Sequence, residues 1–245
     1  MNGYVVLGDV HNEGFQLEKI VNKFTKENYK IILLGDLLNK GINPLKTLEV
    51  FDEIKNDIIF IPGNHEHKFL KLFNLESNKN DKKLSLALNT YNSLINLNKG
   101  KYLFNNYYDY IKELNVFKEI GDFIFVHAEY SDIYFNPKLK YIINTDKRLY
   151  GSHKVLNNKK YFSFDWIDNI KNKIVFVGHL NLNNTKPVFI ENKVVNMDTG
   201  SGYFDGYLSF VKIDKYMLNN IKEFKKYLKN VTLNVDNKSS ILYPV

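Results

Sequence analysis

Three short apolar runs near the start of the chain each break at a turn residue. Tyr4-Val5-Val6-Leu7 stops at Gly8, Ile31-Ile32-Leu33-Leu34 at Gly35, and Ile58-Ile59-Phe60-Ile61 at Pro62-Gly63. Runs of this length bounded by turn residues predict buried strands. Between them the apolar positions change to helical spacing. Leu17, Ile20, Val21 and Phe24 predict a helix over 15–24, and Leu45, Leu48, Phe51 and Ile54 predict one over 44–54, with Pro44 suited to a first turn. The order β-α-β-α-β implies a parallel sheet, because parallel neighbours need a crossover. Phe123–Val126 and Ile174–Val177 add two strands of the same kind.

Between the third and fourth strands, residues 74–119 read as a mostly helical insertion. Leu84, Leu88, Tyr91, Leu94 and Ile95 share one face, as do Leu103, Tyr107, Tyr110, Ile111 and Leu114. Tyr102, Tyr107, Tyr108 and Tyr110 offer rings that could stack a base, although an aromatic helix face is ordinarily core. Residues 132–164, polar and interrupted by Pro137 and Gly151, read as a substrate loop. The last stretch, 215–245, predicts an amphipathic helix through Met217, Ile221, Phe224 and Leu228, then a short strand or tail docked on the core. With 245 residues, 44% hydrophobic and 15% aromatic, the chain fits a single α/β domain over 1–245.

Composition narrows the chemistry. The chain has no cysteine, which excludes disulfides and thiolate metal sites and allows a reducing compartment. No apolar run approaches the ~18 residues of a membrane span, and the first strand begins too early for a signal peptide. The expectation is a cytoplasmic protein, in the host cytoplasm if viral. The net charge of +7 would suit nucleic acid, but the lysines are scattered, arginine occurs once, and segments such as Lys79–Lys83 and Lys222–Lys226 read as solvated faces. Nucleic acid is therefore not the favoured partner.

The chemistry lies where the strands end. Asp9 and His11 follow the first strand, Asp36 the second, Asn64 and His65 the third, His127 the fourth and His179 the fifth. Loops leaving the carboxyl ends of parallel strands converge on one edge, where ligands bind. Any one of these residues alone would read as a turn, cap or core residue. Four of the six histidines, however, occupy this same kind of position. Carboxylate, imidazole and amide oxygens suit divalent ions such as manganese, iron, zinc, cobalt or nickel. Asp36 is the natural bridge, with Asp9 and His11 completing one side and Asn64, His127 and His179 the other. Two ions roughly 3.5–4 Å apart clamp the attacking and leaving oxygens of an in-line displacement and ionise water near neutral pH. The implied reaction is phosphoester hydrolysis.

The blocks Gly-Asp-Val-His-Asn-Glu-Gly, Gly-Asp-Leu-Leu-Asn-Lys-Gly, Gly-Asn-His-Glu, Val-His-Ala-Glu-Tyr and Val-Gly-His resemble the pattern of the calcineurin-like metallophosphoesterases, within them the phosphoprotein phosphatase branch. The match spans residues 5–213. Val194–Gly200 with Gly202, Gly206 and Leu208 is similar to the closing strand pair of phage lambda-type phosphatases and symmetrical diadenosine tetraphosphatases. The resemblance implies a β-sandwich of two mixed sheets flanked by helices. It implies two divalent ions, manganese first, on Asp9, His11, Asp36, Asn64, His127 and His179. It also implies that His65 contacts the phosphate and protonates the leaving group, an effect worth about 10²–10⁴-fold. Glu66 supports the following helix, and His67 lies outside the ligand set.

Departures from the pattern bear on the substrate. Where the family has Asp-Arg-Gly, this chain has Asn39-Lys40-Gly41. A neutral Asn39 can orient His65 but cannot raise its pKa through charge, and Lys40 replaces a bidentate guanidinium with a point charge. A second phosphate-gripping arginine is Pro62 here. Arg148, with His153 and Lys154 as alternatives, falls where relatives place a further one. Asn181 replaces the second histidine of a Gly-His-x-His block and reads as a turn residue. The leading expectation is a phosphomonoesterase of the Ser/Thr protein phosphatase type. The alternative is a pyrophosphohydrolase or phosphodiesterase acting on dinucleoside polyphosphates or other nucleotides. A silent binding scaffold would have lost ligands, and none is lost.

Overall fold

A computed structural model describes residues 1–73, 81–131 and 145–236. The chain runs β1 (Gly3–Leu7), α1 (Gly14–Lys26), β2 (Tyr29–Leu33), α2 (Pro44–Ile54), β3 (Ile59–Phe60), α3 (Asn64–Leu72), α4 (Ser85–Ile95) and α5 (Gly100–Ile111). It continues β4 (Phe117–Ile120), β5 (Phe123–Val126), α6 (Thr145–Tyr150), β6 (Ser152–Leu156), β7 (Lys159–Ser163), β8 (Ile174–Val177), β9 (Val188–Ile190), β10 (Val194–Asn196), β11 (Phe210–Asp214), α7 (Ile221–Val231) and β12 (Leu233–Val235). Both helices and all five strands expected from the periodicity form, with ends shifted by a residue or two.

Two mixed sheets pack face to face, in the orders β11-β1-β2-β3 and β12-β9-β10-β8-β5-β4. Alternation within the apolar runs explains the layering, since successive strand residues point to opposite faces. Val6, Ile32 and Leu34 face the inter-sheet core with Phe123, Phe125, Phe176, Phe189 and Val195. Their neighbours Val5, Leu7, Ile31 and Leu33 face Leu17, Val21, Phe51 and Phe69 of α1, α2 and α3, with α4 and α5 completing that layer. A strand buried on both faces reads as an unbroken apolar run.

β1, β2 and β3 are parallel, as the β-α-β-α-β order implies, and β11 joins β1 antiparallel, which makes the sheet mixed, as the resemblance implies. Other expectations change. The insertion read as helical to residue 119 ends in β4, whose Phe117-Lys118-Glu119-Ile120 pairs antiparallel with β5. The polar segment read as a loop holds α6 and a β6–β7 hairpin, whose Asn157-Asn158 turn has φ of 51° and 60°. That is the primed turn geometry that hairpins favour, and the polar strands Ser152–Leu156 and Lys159–Ser163 hid it. Residues 132–144 of that segment lie outside the described residues, as does the tail from 237. Finally, β10 and β11 do not pair with each other; they sit in opposite sheets. Met217 precedes α7 in a 3-10 turn.

Candidate metal centre

β1, β2 and β3 end level in one sheet, β5 and β8 in the other, so their loops meet at one rim. Six non-glycine residues there hold positive φ: His11 (47°), Asn12 (66°), Asp36 (49°), Asn39 (77°), Lys40 (68°) and His179 (68°). Such backbones are costly without local support and cluster where a site is pre-organised. Part of the support is Asn12, to which the sequence reading gave no role. Its Oδ1 accepts the Asn39 N–H at 3.1 Å and its Nδ2 donates to the Gly41 carbonyl at 2.7 Å, tying the Asn39-Lys40 loop to the loop after β1.

Two groups of ligand atoms converge within 4.8 Å, His11 with Asp36 and His65, and Asp36 with His127 and His179. Asp36 is common to both. Its Oδ2 lies 3.7 Å from His11 Nε2, and its Oδ1 lies 3.6 Å from His127 Nε2. Asp9 Oδ2 is 3.6 Å from His11 Nε2, and the Asp9 carboxylate also accepts the His179 N–H at 3.0 Å. Asn64 Oδ1 stands 3.1 Å from His127 Nε2 and 3.0 Å from His179 Nδ1. Close approach demands glycine nearby. A Cβ on Gly63 would fall 2.3 Å from Asp36 Oδ1, and one on Gly178 2.1 Å from Asp9 Oδ1.

These residues fit a divalent ion. His127 Nδ1 faces the Leu34 carbonyl at 2.5 Å, so its proton is used there and Nε2 presents a lone pair. With the Asn64 oxygen turned inward, His127 Nε2 at 3.1 Å and His179 Nδ1 at 3.0 Å both face it, and an N–H on either ring, or reversal of the amide, would make a hydrogen bond there. With both ring nitrogens offering lone pairs, the three atoms form a set that a cation satisfies directly. Burial holds His179 well below its usual pKa, and burial with the neighbouring Lys40 pushes His11 down to about 4, so both are neutral as metal ligands must be. Burial also opposes charge on His127, but Asp36 and Asp9 outweigh it and raise that pKa.

Glu66 organises the rim from beneath. Its carboxylate accepts the backbone N–H groups of Asp36 (2.7 Å), Leu37 (3.0 Å) and Gly63 (2.7 Å) and the Tyr107 hydroxyl (2.6 Å). The insertion thus reaches the Glu66 carboxylate through the buried Tyr107. Tyr108 and Tyr110 pack against Phe104 and Phe51, as core residues do, while Tyr102 is exposed. His67 on α3 belongs to neither group of ligand atoms.

Around the cluster, Asn39 Nδ2 lies 2.7 Å from His65 Nδ1, and Lys40 Nζ lies 2.7 Å from His11 Nε2 and 4.8 Å from the centre of the Tyr203 ring. Burial, with His11 next, holds His65 well below its usual pKa. Asn181 accepts the Asn183 N–H at 2.8 Å, a turn role. Arg148 is buried in α6, its carbonyl accepting the Ala128 N–H at 2.9 Å. The cavity that opens on His179 is lined by His153 and several lysines, without Arg148 or Lys154. Asp198, quoted in the closing motif without a role, is buried; burial and Asp9 raise its pKa to about 7, and its Oδ2 has no hydrogen-bond partner.

The profile of the calcineurin-like phosphoesterases matches residues 4–215. This chain belongs to that family. It is 23% identical over 184 residues to the symmetrical bis(5'-nucleosyl)-tetraphosphatase of Wigglesworthia glossinidia brevipalpis, a match covering 72% of this chain and 62% of the relative. In fold, the family member is similar to a candidate diadenosine tetraphosphatase, with TM-score 0.55 and 18% identity over 86% of this chain and 97% of the other. A protein serine/threonine phosphatase from Saccharomyces cerevisiae aligns with TM-score 0.55 and 16% identity over 83% and 69%. At these identities the structures show a shared fold. Among the described residues no helix is long and apolar enough to cross a membrane.

Proposed function

We propose that the protein is a metal-dependent phosphoester hydrolase, most of all a phosphomonoesterase of the Ser/Thr protein phosphatase type. The observation that carries this reading is the single carboxylate, Asp36, shared by two converging groups of ligand atoms. Asp9, His11 and Asp36 would hold one divalent ion and Asp36, Asn64, His127 and His179 the other, manganese being the first choice for this oxygen and imidazole set. When bound, such ions supply charge on the phosphoryl oxygens and water ionised near neutral pH. His65 is the general acid for the leaving oxygen, with Nδ1 held by Asn39 and Nε2 toward the site, 3.8 Å from Asp36 Oδ2. Lys40 balances charge on the phosphate, and Arg148 is the further cation of the reading.

Hydrolysis of a dinucleoside polyphosphate is the second reading. It is favoured by the neutral Asn39 beside His65, because an acidic leaving group needs less proton donation, and by the tetraphosphatase relative. The test is a manganese-supplemented panel of a nitrophenyl monoester, its diester, a phosphopeptide and diadenosine tetraphosphate, with Asp36→Asn and His65→Asn as controls. Inactivity on every member together with no bound metal would sink both readings.

A further inference from the structure

One cavity of about 940 Å³ opens beside the cluster, reaching His179, and its wall is basic. Lys68 and Lys71 contribute from α3, Lys83 from the turn before α4, Lys147 from α6, and His153 and Lys160 from the hairpin. Among the described residues Asp81 is the single acid in that wall, and its carboxylate is engaged by the Lys83 backbone N–H at 2.9 Å. Among the described residues none of these five lysines forms an ion pair with a carboxylate. Lys68 links the wall to the reaction site, its Nζ lying 3.4 Å from His65 Nε2. Five lysines that look scattered in the sequence are therefore gathered next to the candidate metal centre.

We propose that this cavity is a subsite for a second anionic group, phosphate or carboxylate, carried by the substrate several bonds from the group that is hydrolysed. The inference rests on the reading of the rim as the reaction site. Like-charged ammonium groups lining one cavity repel each other, and an anion placed among them relieves that repulsion as well as pairing with them. The cavity is too large for one phosphate and comparable to a site for a drug-sized ligand. Its lysines stand on four separate elements, so they define a charged wall rather than a fork fitted to one group.

The experiment compares the wild type with a Lys71→Gln/Lys83→Gln/Lys160→Gln variant, leaving Lys68 in place because it touches His65. Binding of orthophosphate, tripolyphosphate and a hexaglutamate peptide to metal-free protein is measured by calorimetry at low salt. At least one polyanion should bind about tenfold or more tightly than orthophosphate, and the variant should lose that advantage. The arm that responds identifies the source, a phosphate chain or an acidic peptide. The ratio of kcat/KM for diadenosine tetraphosphate or an acidic phosphopeptide to that for nitrophenyl phosphate should fall by a similar factor in the variant. Equal binding of all three ligands, or an advantage that the variant retains, overturns the subsite. Inactivity on nitrophenyl phosphate with the binding advantage intact would count against the hydrolase reading alone.

Discussion

The Lys40 ammonium lies 2.7 Å from His11 Nε2, on the lone pair that the first set of candidate ligands would offer to a divalent ion. Burial works against the charge of Lys40, but Asp36, Asp9 and Asp198 outweigh it and raise its pKa. One cation already balances the carboxylates of that half of the rim. Among the described residues no ammonium lies on His127 Nε2 or His179 Nδ1, and Lys68 Nζ stands 3.3 Å from the Asn64 amide. Isothermal titration with manganese should therefore show two classes of site, and Lys40→Met should tighten the weaker class by about tenfold through removal of a like charge. Identical isotherms for the two proteins would refute the competition.

The contact between Asn39 and His65 predicts a pH effect. A general acid works while protonated, so its contribution is complete below its pKa and lost above it. Because His65 is held well below its usual value, that loss falls on the acid side of neutrality in the wild type. Asn39→Asp places a carboxylate against Nδ1 and should move the limb upward by about a unit in the kcat/KM profile for nitrophenyl phosphate. His65→Asn should cost about 10²–10⁴-fold with this substrate. An unmoved limb in Asn39→Asp would separate His65 from the proton transfer.

Asp198 predicts how the metal-free protein responds to pH. Its folded pKa of about 7 exceeds the model-peptide value of 3.8, so between those values the folded chain holds a proton that the unfolded chain has released. Stability therefore falls as pH rises through that window, by an amount on the order of a few kcal/mol. Asp198→Asn should raise the Tm of metal-free protein at pH 8 and leave it nearly unchanged at pH 4. Thermal melts across that range decide it, and parallel curves for the two proteins would remove Asp198 from the account.

Tyr107 predicts coupling between the insertion and the rim. Its hydroxyl is one of four donors on the buried Glu66 carboxylate, and burial raises the pKa of both groups. Tyr107→Phe should destabilise the fold by about 1–3 kcal/mol and, through Glu66, loosen Asp36 enough to weaken manganese binding. Denaturant unfolding measures the first and metal titration the second; a stability loss with unchanged metal affinity would confine Tyr107 to the core.

Asp36→Asn should abolish metal binding at both classes of site, since both groups share this carboxylate. Retention of either class by calorimetry would contradict the bridge.

The amino-acid sequence by itself determined the five strands that carry the candidate ligands, the two helices after β1 and β2, and the family, because each rests on short-range signals: an apolar run against a glycine, a 3.6-residue period, a polar block at a strand end. It also placed Asp9, His11, Asp36, Asn64, His65, His127 and His179 at equivalent positions. Tertiary structure alone decided what those side chains meet. Glu66 serves the backbone of Asp36 across 30 residues, Asn12 holds the loop of Asn39 across 27, and Lys40 reaches His11 across 29. Such contacts leave no periodic trace in the chain. The lysine wall is of the same kind: Lys71, Lys83, Lys147 and Lys160 are unremarkable at their separate places in the sequence, and only the packing of α3, α6 and the hairpin around His179 makes them one surface.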